Sequence, residues 1–372
     1  MDPAIDEAQT DTTGAPIQVD VLPAAELTGS LIEAWAARQS QSPTFRSPFF
    51  CPEYTLAVAR FHSDCEVAVV RRGEEPVAFF PYHRLRDQTA VPISKGLADF
   101  QGIVAAEGIS LSMPDLLRAC GLVAWRYDHW ISGQAQLIGG CAPWARTGSP
   151  RIDLADGYEA YAAERRAAGC QTLRQTQRKA RKMEREVGPL RLVARTTQED
   201  VFDTLIEWKL QQFRRIRCVN HLAETWKRPF LRELSQLQTP RLSGMMSALY
   251  AGDRLVAAHL GLLSDGVLHY WFPTYCPSHD RYSPGMVMLV ELLSGCRELN
   301  IERIELGKGP ERFKWSLQNG VADVCEGTVD LRPTRAHLQR AWYVFRERIR
   351  ESAFRAPAQQ LVRSLRAWRE YR

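Results

Sequence analysis

The sequence predicts an α/β protein: two mixed-sheet units in tandem, each flanked by helices, with a basic helical tail. Three observations predict it. Strand-like apolar alternation over 66–71, 77–85, 124–131 and 268–274 is interleaved with segments of helical period. The order helix, helix, hairpin, strand, helix, strand occurs twice, without any repeated sequence. From Thr334 onward ten arginines face three glutamates, whereas the whole chain carries only +5, so the rest of it is slightly acidic.

The predicted elements follow in order. Residues 1–16 are acidic and lack an apolar segment, so they read as a disordered leader rather than a secretory signal. The N-terminal unit, 17–150, opens with a strand at 19–22 and a helix at 24–38 that turns Leu27, Leu31, Ile32 and Trp35 to one side. A second helix, 52–61, starts on Pro52, whose missing N–H has no intrahelical partner there. Strands at 66–71 and 77–85 form a hairpin. A strand with a polar kink falls within 92–104, then a helix at 114–120 and a strand at 124–131. Arg151-Ile-Asp-Leu154 pairs into one of the sheets. A connector takes 151–188, with one long helix over 158–187 that ends in a strongly basic run. That run is either a solvated face or an anion clamp.

The C-terminal unit, 189–332, starts with a strand at 189–193 and a helix at 199–214. A hairpin turns at Ala251-Gly-Asp253. A long strand over 268–274 enters a helix over 284–299, followed by a strand at 301–306 and a short helix at 311–317. Residues 333–372 form two amphipathic helices, 335–350 and 359–371, with Leu338, Trp342, Phe345 and Ile349, then Leu361, Leu365 and Trp368, on their apolar faces. Such helices either dock on the protein's own core or lie on anionic lipid. Nucleic acid is disfavoured, because no binding motif accompanies the charge.

The chain has 372 residues, enough for two domains, and no apolar run reaches the ~20 residues of a bilayer span. Nine scattered cysteines, with no Cys-x-x-Cys pair, argue against a zinc site or a disulfide framework. Reduced thiols in a cytoplasmic protein are the simplest reading, with the tail free to touch the inner face of the membrane. No metal is expected.

Ser283-Pro-Gly285 carries the most chemical information. Ser283 suits an N-cap, Pro284 the first helical position, and Gly285 a close approach of another group. The N–H groups of Gly285, Met286 and Val287 then face a phosphate or pyrophosphate at the positive end of the helix. The competing reading is a well-capped helix without a ligand.

The chain resembles the GNAT-type acetyltransferase family associated with cellulose and exopolysaccharide biosynthesis. The resemblance rests on Ser47-Pro-Phe-Phe50, Asp99-Phe-Gln-Gly102, Tyr127-Asp-His129, the basic run 178–186, Trp271-Phe-Pro273, Ser283-Pro-Gly285 and Glu305-Leu-Gly-Lys-Gly309 with Phe313-Lys314. It implies a double GNAT-like fold related to the Fem peptidyltransferases, with acetyl-CoA or another acyl-CoA as donor. Phe272, Pro273, Thr274, Arg281, Ser283, Gly285, Met286, Val287 and Lys308 are then the expected cofactor contacts. A backbone N–H within 271–274 supplies the oxyanion contact. The general base is His259, His269, Asp99 or Glu305, and Gln101, Asp128, His129 and Lys314 are the acceptor-side residues. Asp99, Gln101, Asp128 and His129 are polar groups among apolar ones, so they need partners or a function.

Two departures stand out. Gly285 is the one glycine of the phosphate turn. Phe313 also occupies the place where many GNAT enzymes carry a thiolate-protonating tyrosine. The expected reaction is acyl transfer to an amine or hydroxyl of a sugar or polysaccharide precursor. The alternatives are a Fem-like transferase using aminoacyl-tRNA and a non-catalytic accessory protein of exopolysaccharide synthesis.

Overall fold

The computed structural model describes residues 17–138, 142–216, 220 and 222–351; the predicted leader and second tail helix lie outside them. The first half holds β1 (Ile17–Pro23), α1 (Gly29–Ser40), α2 (Pro52–Ala59), β2 (Cys65–Arg72), β3 (Glu75–Arg84), β4 (Thr89–Val91), β5 (Val104–Ala105), α3 (Met113–Ala119) and β6 (Ala124–Ile131). Then come β7 (Ala145–Asp153), α4 (Tyr158–Ala167) and α5 (Thr172–Glu186). The second half holds β8 (Leu190–Val193), α6 (Glu199–Ile216), α7 (Lys227–Gln236), β9 (Ser243–Ala251), β10 (Arg254–Ser264), β11 (Val267–Tyr275), α8 (Pro284–Ser294), β12 (Arg303–Glu305), α9 (Arg312–Leu317) and β13 (Gly320–Asp330), followed by α10 (Pro333–Glu351).

Three expectations need correction. The connector is two helices, because Gly169 takes a left-handed φ of +77° that ends α4. Residues 92–103 form no named strand: Ser94, Lys95 and Gly96 all have positive φ, which breaks the extended run. The helix after Pro284 ends at Ser294, and the chain continues as turns to residue 300.

The thirteen strands join one mixed sheet in the order β1-β2-β3-β4-β6-β13-β7-β12-β11-β10-β9-β8, with β5 on β3. Each half follows the same plan. Three antiparallel pairings precede a parallel one, β4 on β6 in the first half and β11 on β12 in the second. The final strands are exchanged. β7, from the end of the first half, pairs with β12, while β13, from the end of the second, pairs with β6. β7 and β13 also pair with each other, so the tandem halves share one sheet.

The core joins the halves as well. Trp35, Phe49, Tyr54 and Phe79 pack in one cluster with Phe202, Phe230 and Phe272. Each such side chain contributes about 2–3 kcal/mol of burial. Arg241 pairs with Glu33 and Glu53, and Arg46 with Asp265 and Glu302, across the same seam. On the other side, α8 covers Leu268, Tyr270 and Ile304, together with Tyr161, Leu173 and Met183 of α4 and α5.

Candidate active site

β11 and β12 pair over only three positions, ending at His269 opposite Glu305. The chain after β12 then leaves, and Leu306 N–H donates to the Pro150 carbonyl instead. Among the described residues, β11 continues to Tyr275 with β10 as its one strand neighbour, and Lys209 Nζ donates to the Pro273 carbonyl at 3.1 Å. A groove of about 250 Å³ opens between this free edge and α8, lined by Tyr270, Pro273, Thr274, Tyr275, Gly285, Met286 and Phe313. Ser283 and Met286 carry it into a second hollow of about 340 Å³ walled by Thr176, Lys179 and Arg312. Thr274 and Tyr275 carry it toward Trp208 and Arg215 on α6.

The turn into α8 differs in detail from the sequence reading. Ser283 has φ +51°, and its side chain makes no cap bond. Its hydroxyl accepts from Lys179 Nζ at 2.7 Å. The Ser283 carbonyl accepts the N–H groups of Met286 and Val287, so of the three expected donors only Gly285 keeps its N–H available. The Lys179 ammonium stands where the other two were expected to act. The basic connector thus reaches the groove through one residue that sequence reasoning did not single out. Its neighbour in the same hollow, Arg312, was missed too.

Other expected cofactor contacts are placed elsewhere. Arg281 is largely exposed and pairs with Glu186 and Tyr282. Phe272 is buried beneath Lys209 in the α6 core, and Val287 is buried in the α8 core. Lys308 donates to the Asp128 carbonyl at 2.7 Å, away from the groove. Pro273, Thr274, Ser283, Gly285 and Met286 do line it. The oxyanion donor narrows as well. Cys276 N–H bonds Val256, so by alternation Thr274 and Phe272 N–H also face β10, and Pro273 has none. Trp271, opposite the irregularity at Gly261, remains from that segment.

Where β11 and β12 part, at the inner end of the groove, residues from distant parts of the chain converge. His269 is fully buried, and its Nε2–H donates to Asp99 Oδ2 at 2.8 Å. His129 Nε2 stands 3.7 Å from the other Asp99 oxygen, and its Nδ1 stands 3.1 Å from Asp128 Oδ1. Burial opposes ionisation of Asp99, yet the His269 hydrogen bond and the charges of His269, His129 and Lys314 hold it at about 2. Burial works against Asp128 too, and His129 with Gln101 still keeps it below the usual carboxylate range. Phe49 packs its ring edge-on against both His269 and Trp271. Gly307, at φ +71°, lets the β12 turn approach: a Cβ there would sit 2.7 Å from Asp99 Oδ2.

At the paired positions of β11 and β12, two buried polar atoms lack a partner among the described residues, His269 Nδ1 and Glu305 Oε2. Burial pushes the Glu305 carboxyl up to about 7, against the opposing pull of Arg303 and Arg151. Buried orphans are costly, so two at adjacent register positions mark a place for a ligand. Tyr270 adds a third: its hydroxyl is buried without a partner while its ring lines the groove.

Three candidates serve other ends. His259 stacks on Tyr270, with centroids 4.1 Å apart, and is fully buried with both nitrogens unpartnered. Burial, with the His269 and Lys209 charges, drives it down to about 3, so it is a poor base. Gln101 is saturated: its amide donates to Ala98 O and Asp128, and its oxygen accepts the N–H groups of Asp128 and His129. It positions Asp128 and His129 rather than offering a free contact. Lys314 caps the carbonyls of Gly307 and Lys308 and pairs with Glu311. Cys276, the scattered thiol nearest the groove strand, contacts Ser278.

His62, Asp64 and His83 also cluster, but they do not make a cation site. Lys95 Nζ stands 2.9 Å from Asp64, and His83 Nε2 accepts Ser94 N–H, which leaves Nδ1 protonated toward Asp64.

Comparison with known proteins bears on one domain and on the fold. Residues 171–315 match the model of the acetyltransferase (GNAT) domain. The match spans α5 to α9 and so contains the groove. The structure of FemX is similar, at 7% identity over 86% of this chain and 100% of that one, with a TM-score of 0.56. So is the C-terminal domain of a protein from Agrobacterium fabrum named for a lysylphosphatidylglycerol synthetase, at 12% identity, 83% and 94% coverage and a TM-score of 0.52. A tandem GNAT protein of the clavulanic acid pathway gives 11% identity, 85% and 99% coverage and a TM-score of 0.46. No curated protein matches the sequence. Residues 171–315 are thus similar to a GNAT acetyltransferase domain, set within a mixed α/β fold whose two halves follow one plan. At these identities the structural likenesses speak for the fold alone.

Proposed function

We propose that this protein moves an acyl group from an acyl-CoA to an amine or hydroxyl, with a saccharide or polysaccharide precursor as the acceptor class. The observation that carries the reading is the groove between the free edge of β11 and the start of α8, with Gly285 N–H, Lys179 and Arg312 around its mouth. The pantetheine arm pairs with the free strand edge. The pyrophosphate meets the helix end and the two cations. The thioester then reaches Trp271, next to His269, Asp99 and Glu305.

In this reading the acceptor's N–H or O–H proton passes to Glu305 or to His269 Nδ1, which face each other on β12 and β11. Asp99 fixes the His269 ring through Nε2. The Trp271 N–H steadies the oxyanion. Phe313 cannot protonate the departing thiolate, and of the hydroxyls lining the same groove Tyr270 is the buried one without a partner among the described residues. The saccharide acceptor rests on the motif resemblance alone.

Calorimetric titration with acetyl-CoA tests the donor site. A Cβ at position 285 would meet only Tyr275, at 3.5 Å, so Gly285→Ala should bind like the wild type. Gly285→Asp puts a carboxylate against the phosphates and should weaken binding by about tenfold or more. Equal binding by Gly285→Asp misplaces the site. A wild type that binds aminoacyl-tRNA and no acyl-CoA replaces the donor.

A further inference from the structure

α10 is attached to the protein by one side only. Tyr343 donates to Glu326 and packs its ring 5.1 Å from Trp144, which holds the helix on β13. The opposite side carries Leu338, Trp342 and Phe345, spaced at helical intervals and 71%, 60% and 54% exposed. Trp342 and Phe345 touch each other, with centroids 5.7 Å apart, and nothing else covers them among the described residues. Of the two readings of this face, docking on the protein's own core does not hold for these three side chains. Arg335, Arg346 and Arg348 flank the stripe on the helical wheel; Arg335 also pairs with Asp87, and Arg346 lies over the Tyr343 ring.

We infer that this stripe is a docking surface for an anionic lipid bilayer, with α10 lying in the plane of the interface. The charge pattern selects that occupant. α10 carries five arginines against two glutamates, and residues 352–372 add five more against one. A second copy of the chain docking through the same face, or its own C-terminal segment, would bring positive charge onto positive charge. A surface of phosphate headgroups neutralises the arginines while the acyl boundary receives Trp342, Phe345 and Leu338. Among the described residues no helix is apolar enough to cross a membrane, so the mode is surface attachment.

Co-sedimentation of the full chain with vesicles tests this independently of any acyl-transfer activity. The protein should pellet with phosphatidylcholine vesicles containing about one-third phosphatidylglycerol, and not with pure phosphatidylcholine. Raising salt from about 0.1 to about 0.5 M should release most of it. Trp342→Ala/Phe345→Ala should reduce the bound fraction about tenfold at an unchanged melting temperature, because neither ring is part of the core. Arg346→Gln/Arg348→Gln should weaken binding and flatten its salt dependence. Failure of the wild type to bind anionic vesicles at low salt overturns the inference, as does equal binding by the aromatic double variant. A concentration-dependent dimer that the double variant abolishes would assign the stripe to a second copy instead.

Discussion

At the scale of single residues, Asp99 and Glu305 sit in opposite electrostatic situations within one site. Asp99 has a folded pKa of about 2, below its unfolded value. Its contribution is therefore present above about pH 4 and is lost as pH falls toward 2, on the order of 2 kcal/mol in all. Asp99→Asn should remove that part of the acid dependence, which melting curves between about pH 2 and 5 would show. Glu305 is raised to about 7, so the sign is reversed: its neutral form is the stable one, and stability is lost as pH rises through 7. If Glu305 is the base, kcat/KM should rise with a midpoint near 7 and level off above it. In Glu305→Gln that limb should disappear. A variant that keeps the same limb would assign the proton transfer elsewhere, with His269 next in line.

At the scale of elements, the groove strand and its helix were legible because their signals are local. Alternation ends at Pro273, and Ser-Pro-Gly punctuates the start of α8 within a few residues. What could not be read depends on residues far apart. His269 meets Asp99 across 170 positions, and Lys179 meets Ser283 across 104. The exchange of β7 and β13 rests on pairing, which apolar patterning does not encode. Likewise, helical spacing at Leu338, Trp342 and Phe345 reveals a face but not what covers it.

β9 offers a test of packing at this scale. A Cβ at Gly244 would overlap the carbonyl of Leu234 at the end of α7. Gly244→Ala should therefore cost about 1–3 kcal/mol and lower the melting temperature by several degrees. A neutral effect would mean that α7 does not seat on β9 as described. α10 behaves differently. Replacing Leu338, Trp342 and Phe345 by alanine should cost little stability, since all three lie in solvent, whereas Tyr343→Ala should loosen the helix through its contacts with Glu326 and Trp144.

At the scale of the whole molecule, the shared sheet makes the two halves interdependent. β12 and β13 are separated by β7, which belongs to the first half of the chain. A fragment of residues 189–332 would leave β12 without its antiparallel neighbour and β13 without either of its own. It should be unfolded by circular dichroism, while the full chain should unfold in one transition. Two well-separated transitions would mean that the continuous sheet and the common aromatic core do not couple the halves.

The central claim is that an acyl-CoA lies between α5, α8 and the free edge of β11. Hydrogen–deuterium exchange with and without acetyl-CoA tests it most directly. Binding should slow exchange in peptides covering 270–275, 283–289 and 172–179, and leave β1, β2 and α3 unchanged. Protection confined to other segments, or none at saturating acetyl-CoA, would contradict the account.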